Sequence, residues 1–334
     1  MRWVLTFTLT LSMMATGVSG QNQKAGGQLL SYTPPDPTSP VPGELVRKLP
    51  LQIALTCKGD GQASPQPFAG TGFLVRIKVP PAEKDMAFIY LVTNRHIAEC
   101  WDETNHPQQV VSIDVRVNTQ DGGAVTLPLS SNGNANWFYP DDDSIDLAVI
   151  PFSLPPNLKL DIIAFDFGSF ATRESLRQHR IGEGSAILVT GYFLQFPGQR
   201  RFQPILRQGI LSMIPDEPMK TTTGRLGTVY LADVHIFGGN SGSPVLATPQ
   251  DDLVHAADHW FIGLVSGYYF EKADTSMEIA TTVKGETAAN SGVAMIVPAD
   301  EVKKLIENNP TLKAYRDAYL STLPKESPAA PHVP

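Results

Sequence analysis

Between Leu51 and Val297 the sequence repeats one kind of unit, a short apolar run closed by Gly, Pro, Asn, Asp or Ser. The runs fall at 51–56, 72–79, 87–93, 110–117, 147–152, 186–192, 228–234, 261–266 and 292–297. Runs of this length, bounded by turn residues and rich in β-branched and aromatic side chains, read as strands. No helix-period segment stands between them, so the crossovers that parallel strands require are missing, and the pattern predicts an antiparallel all-β architecture. One helix is predicted, after the last run. Pro298-Ala-Asp-Glu places proline and acidic residues in a first turn, and Val302, Leu305 and Ile306 recur at helical spacing.

The ends of the chain have a different character. Arg2 is followed by an apolar stretch from Trp3 to about Ala15 and by small residues through Val18-Ser-Gly20. A basic start, a short apolar core and a small-residue exit make the pattern of a secretory signal peptide over 1–20, and the run is short for a membrane span. Residues 21–49 ("SYTPPDPTSPVPG" within them) and 321–334 are polar and Pro-rich, and read as a linker or propeptide and a tail. The intervening 50–320 is long enough for one large or two smaller cores. With a formal charge of −7 the chain has no basic footprint for nucleic acid or anionic lipid. No later segment is apolar and long enough for a membrane span. The expected location is outside the cytoplasm, periplasmic or extracellular. In that setting Cys57 and Cys100, the two cysteines of the chain, can form one disulfide or remain separate buried thiols.

Against this background Phe237-Gly-Gly-Asn-Ser-Gly-Ser-Pro-Val-Leu246 stands out. Such residues are ordinary loop punctuation, but they also suit a nucleophilic serine, whose hydroxyl needs a base and a group to orient that base. A histidine at the tip of an apolar strand, His96 in "FIYLVTNRHIAEC", supplies the base. Twenty-odd residues earlier the glycine-led "GTGFLV" (70–75) is placed to pair with that strand as a hairpin. Asp146, at the mouth of the run Leu147–Ile150, supplies a carboxylate that can be buried beside imidazole, whereas Asp141, Asp142 and Asp143 read as a solvated acidic loop. His255-Ala-Ala-Asp-His259 has helical i, i+4 spacing but lacks the glutamate of a zinc-protease motif and falls between strands, so no metal is expected. No sequence feature calls for another cofactor.

The order His96, Asp146, Ser241, carried by "TGFLVRI", "LVTNRHIAEC", "DLAVI", "GGNSGSPVL" and "FIGLVSG", resembles the chymotrypsin-like serine proteases over roughly 50–310. The exported bacterial branch, glutamyl-endopeptidase-like and HtrA-like but without a PDZ domain, is the nearer comparison. The resemblance implies two antiparallel six-stranded β-barrels, about 50–160 and 180–298, closed by a helix over about 299–320. It implies a serine endopeptidase acting on protein or peptide substrates through an acyl-enzyme. His96, Asp146 and Ser241 would form its triad, the amides of Gly239 and Ser241 its oxyanion hole, and Val265, Ser266 and Gly267 the strand that binds substrate. His235, six residues before Ser241, falls where the pocket floor is usually found. Cys100 stands close to a common cysteine position of the family, with Cys57 further upstream than the usual partner. Asn240 replaces the acid that pairs with a freed N-terminal amine in zymogen-type members, so activation by that ion pair is not implied. Val265 fills the place of the histidine that lines the glutamyl-endopeptidase pocket, so no preference for acidic substrates is implied. The same residues allow a different class, a protease-like fold kept as a binding module.

Overall fold

The computed structural model describes residues 42–59, 64–79, 86–101, 106–130, 135–250, 259–278 and 282–323. The expected signal peptide, most of the expected linker, His255 and most of the tail lie outside them.

The N-terminal half forms a sheet of eight strands: β1 (Pro50–Lys58), β2 (Gln66–Lys78), β3 (Ala87–Thr93), β4 (Cys100–Trp101), β5 (Pro107–Asn118), β6 (Ala124–Ser130), β7 (Ala148–Pro151) and β8 (Ala164–Asp166). Its order is β4-β5-β1-β2-β3-β7, with β6 on β5 and β8 beside β2. All pairs are antiparallel except β2–β8. The expected hairpin exists: Phe73 faces Val92 and Val75 faces Tyr90 across β2 and β3. Strand β2 is apolar on both sides because both are buried. Leu74 joins Ile53, Leu91 and Val115 inside the sheet's curve, while Phe73 and Val75 point the other way.

The C-terminal half is a closed barrel of six strands, in the order β10-β13-β16-β15-β14-β9. They are β9 (Ala186–Gly191), β10 (Ile205–Met213), β13 (Tyr230–Asp233), β14 (Pro244–Ala247), β15 (Trp260–Glu278) and β16 (Thr282–Pro298), with a two-stranded hairpin, β11 (Met219–Lys220) and β12 (Leu226–Gly227), between β10 and β13. The fold is therefore the chymotrypsin-like double barrel, its first half an open half-barrel. The outward face of β2 meets this barrel through an aromatic cluster. Phe261 lies 5.2 Å from Phe73, 4.9 Å from Phe165 and 4.6 Å from Phe170 by ring centroids.

Two details differ from the sequence reading. The stretch before Pro50 is not all linker, because a helical turn α1 (Pro42–Val46) sends Val46 and Leu49 into the core. The terminal helix is two, α3 (Ala299–Asn308) and α4 (Pro310–Ser321). Pro310 disfavours helical geometry at Asn309, which is extended at φ −61°, ψ 121°, and the Asn309 side chain instead caps α4 by accepting from the Thr311 and Leu312 amides. Val302, Leu305, Ile306 and Leu312 all enter the core that contains Phe73 and Tyr90.

Candidate active site

Strand β3 ends at Thr93, and the chain then makes one helical turn, α2 (Arg95–Ala98), anchored by buried Ile97 and Ala98. His96 occupies the exposed side of that turn. Strand β7 pairs with β3, Ala148 opposite Thr93, which brings the approach to β7, and Asp146 with it, beside the turn. The Asn94 side-chain amide donates to the Asp146 carbonyl at 2.8 Å and fixes the approach. One carboxylate oxygen of Asp146, Oδ1, accepts from the His96 main-chain N–H at 3.2 Å, and Oδ2 lies 2.7 Å from His96 Nδ1. A carboxylate only accepts, so the proton of a neutral imidazole sits on Nδ1 and Nε2 is left as the basic nitrogen. The Asp146 side chain is 4% exposed and that of His96 42%. Burial pushes the Asp146 carboxyl up, but the His96 charge and the hydrogen bonds it receives overcome this and hold it below the ordinary carboxylate value. Burial pushes His96 down, and Asp146 overrides it and raises the imidazole above its ordinary value.

The serine segment is two successive turns that share Asn240. In the first, Asn240 N–H donates to the Phe237 carbonyl at 3.0 Å; in the second, Ser243 N–H donates to the Asn240 carbonyl at 2.9 Å. Each carries at its third position a glycine of positive φ, Gly239 at 94° and Gly242 at 83°. That is the type II requirement, and it sets which way the central peptide of each turn points. Side chains are excluded by contact as well. A Cβ on Gly239 would stand 2.7 Å from Tyr192 Cδ1, and one on Gly242 would stand 1.9 Å from the Thr71 carbonyl oxygen. Ser241, second in its turn, stands at the corner. The loop is stitched to β2 through buried Thr71, whose N–H donates to the Ser241 carbonyl at 2.9 Å and whose hydroxyl donates to the Gly239 carbonyl at 2.8 Å. Thr93, three residues before His96, donates to the Thr71 carbonyl at 2.7 Å, so the loop and the imidazole turn share a support. Among the described residues no hydrogen bond joins Ser241 Oγ to His96.

Residues 70–254, more than half of the chain, match the trypsin-like peptidase domain family. The chain belongs to that family. Similar solved structures include the HtrA-type protease AlgW with a tripeptide (17% identity, 81% of this chain and 64% of that one, TM-score 0.43). Deg5 is another (17% identity, 78% and 88%, TM-score 0.43), as is an inactive form of Rv3671c from M. tuberculosis (14% identity, 88% and 98%, TM-score 0.39). This chain therefore spans less than two thirds of the AlgW chain. Curated proteins gave no match.

In this trypsin-like peptidase domain Asn240 is buried, with both polar atoms of its side chain engaged. Its Oδ1 accepts from the Phe237 N–H at 2.9 Å and its Nδ2 donates to the Tyr192 carbonyl at 2.8 Å. The expected substrate strand is divided. Val265 has both main-chain groups in use, its N–H donating to the Ser243 carbonyl at 2.9 Å and its carbonyl accepting from Gly242 N–H at 2.8 Å, so the edge open to an extended peptide begins after it. Ser266 turns its hydroxyl onto Asp146 Oδ2 at 2.9 Å. Gly267 continues β15 past the last residue paired with β14. His235 is exposed, with its ring beside Gly292 of β16, where an added Cβ would be 3.4 Å from the imidazole. Cys57 and Cys100 form a disulfide. Sequence reasoning missed Thr71 as anything but part of a strand, and missed Thr222, whose hydroxyl lies 3.3 Å from Asp146 Oδ2. No cluster of His, Cys, Asp and Glu among the described residues could hold a metal ion.

Proposed function

We propose that this chain is an exported serine endopeptidase that cleaves peptide bonds through His96, Asp146 and Ser241. The observation that carries the reading is the 2.7 Å contact of His96 Nδ1 with a buried carboxylate, in a trypsin-like domain whose serine loop is built from two glycine-dependent turns. His96 Nε2 takes the Ser241 proton as Oγ attacks the substrate carbonyl carbon. Asp146 keeps the imidazole in the required tautomer and stabilises the imidazolium. The charge on the former carbonyl oxygen is held by the Gly239 and Ser241 amides; the Gly239 N–H belongs to the central peptide of the first turn, the group whose direction a positive φ at Gly239 selects. The imidazolium then protonates the leaving amine, and water repeats the sequence on the acyl-enzyme. Substrate lies as an added strand along Ser266 and Gly267, with His235 at the floor of the side-chain pocket. Export is supported by the signal-like N-terminus and by the disulfide. No helix among the described residues is long and apolar enough to cross a membrane.

The test is covalent labelling of the mature protein by a fluorophosphonate, with the adduct mapped by mass spectrometry. Labelling confined to Ser241 and lost in Ser241→Ala, together with a fall in peptide hydrolysis of about a million-fold, is expected. Catalytic hydrogen bonds are often long before substrate binds, which accommodates a Ser241 Oγ that makes no hydrogen bond to His96. That same unmade contact is the observation favouring a protease-like binding module, and a folded sample that takes no label would select it.

A further inference from the structure

The 219–227 hairpin of the second barrel reaches across to the segment that carries Asp146. Its turn is tightly made: Thr221 N–H donates to the Arg225 carbonyl at 2.8 Å, and Gly224, at φ 79°, donates to the Thr221 carbonyl at 3.0 Å. Three contacts join it to the aspartate segment. Arg225 pairs with Asp143 at 3.4 Å, and Gly227 packs so closely on Ser144 that an added Cβ would stand 2.4 Å from Ser144 Oγ. The third is Thr222, whose hydroxyl lies 2.5 Å from Ser266 Oγ and 3.3 Å from Asp146 Oδ2. Its methyl covers Gly267, occupying the place a Cβ there would need.

Counting protons orders these contacts. The carboxylate only accepts, and each hydroxyl has one hydrogen. Two hydrogens must serve three short contacts, so the best arrangement is a chain: Thr222 O–H to Ser266 Oγ, and Ser266 O–H to Asp146 Oδ2. Accepting from Thr222 polarises the Ser266 hydroxyl and leaves its hydrogen no better place than the carboxylate.

We propose that Thr222 is a positioning residue for Asp146, acting through Ser266, and that the 219–227 hairpin is the means by which the second barrel holds the charged partner of His96. The kinetic consequences rest on the serine-peptidase reading; the hydrogen-bond chain itself does not. Removing the Thr222 hydroxyl weakens donation to Asp146, leaves its negative charge less compensated, and so favours the imidazolium. The charged neighbours Arg95, Glu99, Asp143 and Arg225 are paired among themselves, Arg95 with Glu99 and Asp143 and Arg225 with Asp143, and keep those partners.

The experiment compares Thr222→Val, which keeps the shape, with Thr222→Ser, which keeps the hydroxyl. The His96 ring pKa is read by NMR titration, alongside kcat, KM and the rate of fluorophosphonate labelling. In Thr222→Val the His96 pKa and the acid limb of kcat/KM are expected to rise by about half a unit. Its labelling rate and kcat should fall about fivefold, with KM within about twofold. Thr222→Ser should recover most of both effects, and Thr222→Val should add little on a Ser266→Ala background. An unchanged titration in Thr222→Val, or equal losses in the Val and Ser variants, overturns the proposal. If the wild-type protein neither labels nor hydrolyses peptide, the functional reading fails, and the titration still decides the role of Thr222.

Discussion

Asn240 accepts from the Phe237 N–H and donates to the Tyr192 carbonyl, a pairing open to an amide and closed to a carboxylate, which has no hydrogen to give. Among the described residues the serine loop is thus locked by neutral main-chain partners. Asn240→Asp is expected to set a buried carboxylate against the Tyr192 carbonyl and to cost about 2–3 kcal/mol in urea denaturation. At His96 the proposed mechanism uses the neutral ring as the base, and the imidazole value is raised. Peptide hydrolysis is therefore expected to be lost as pH falls through a value above about 6.5, and kcat/KM measured across pH 5–9 checks this. His96, Asp146 and Ser241 could be singled out in the sequence because each sits in a local setting that suits the chemistry proposed for it: a strand tip, a strand mouth, a glycine-rich corner. Thr71 and Thr222 were not, because a threonine hydroxyl acquires a role only from what lies opposite it. Their partners, Gly239 and Asp146, are distant in sequence.

The two turns over 237–243 act as one element, and its sequence requirement is conformational before it is chemical. Gly239→Ala is expected to force the first turn toward type I and so to rotate the Gly238–Gly239 peptide, whose N–H is a donor of the proposed oxyanion hole. The loss in kcat should be about a hundredfold to a thousandfold with the circular dichroism of the fold retained. Elements whose side chains alternate against one core, or are buried on both faces, were readable as strands. Strand β10 was not: Ile205–Met213 exposes much of its length and interleaves Arg207 and Gln208 with apolar residues, so neither period shows. The break between α3 and α4 is written in Asn309-Pro310 and was passed over because the apolar spacing dominates the reading.

Over the whole molecule, the disulfide and the terminal helices hold the half-barrel from opposite ends of its sequence. Cys57–Cys100 closes a separation of 43 residues and buries both cysteines among Leu51, Ile53 and Ile97, next to the His96 turn. Reduction is expected to lower unfolding stability by about 3–4 kcal/mol, measurable as a drop in Tm under dithiothreitol. Helix α4 reaches back to β3: Arg316 donates to the Tyr90 hydroxyl at 2.9 Å, and Tyr319 stacks edge-on to Phe88 with centroids 5.5 Å apart. The strand that carries His96 is therefore backed by residues translated more than two hundred positions later. During synthesis the three residues of the proposed triad emerge well before the helices that brace their strand, so a chain of this design would reach its working geometry only once α4 has followed them.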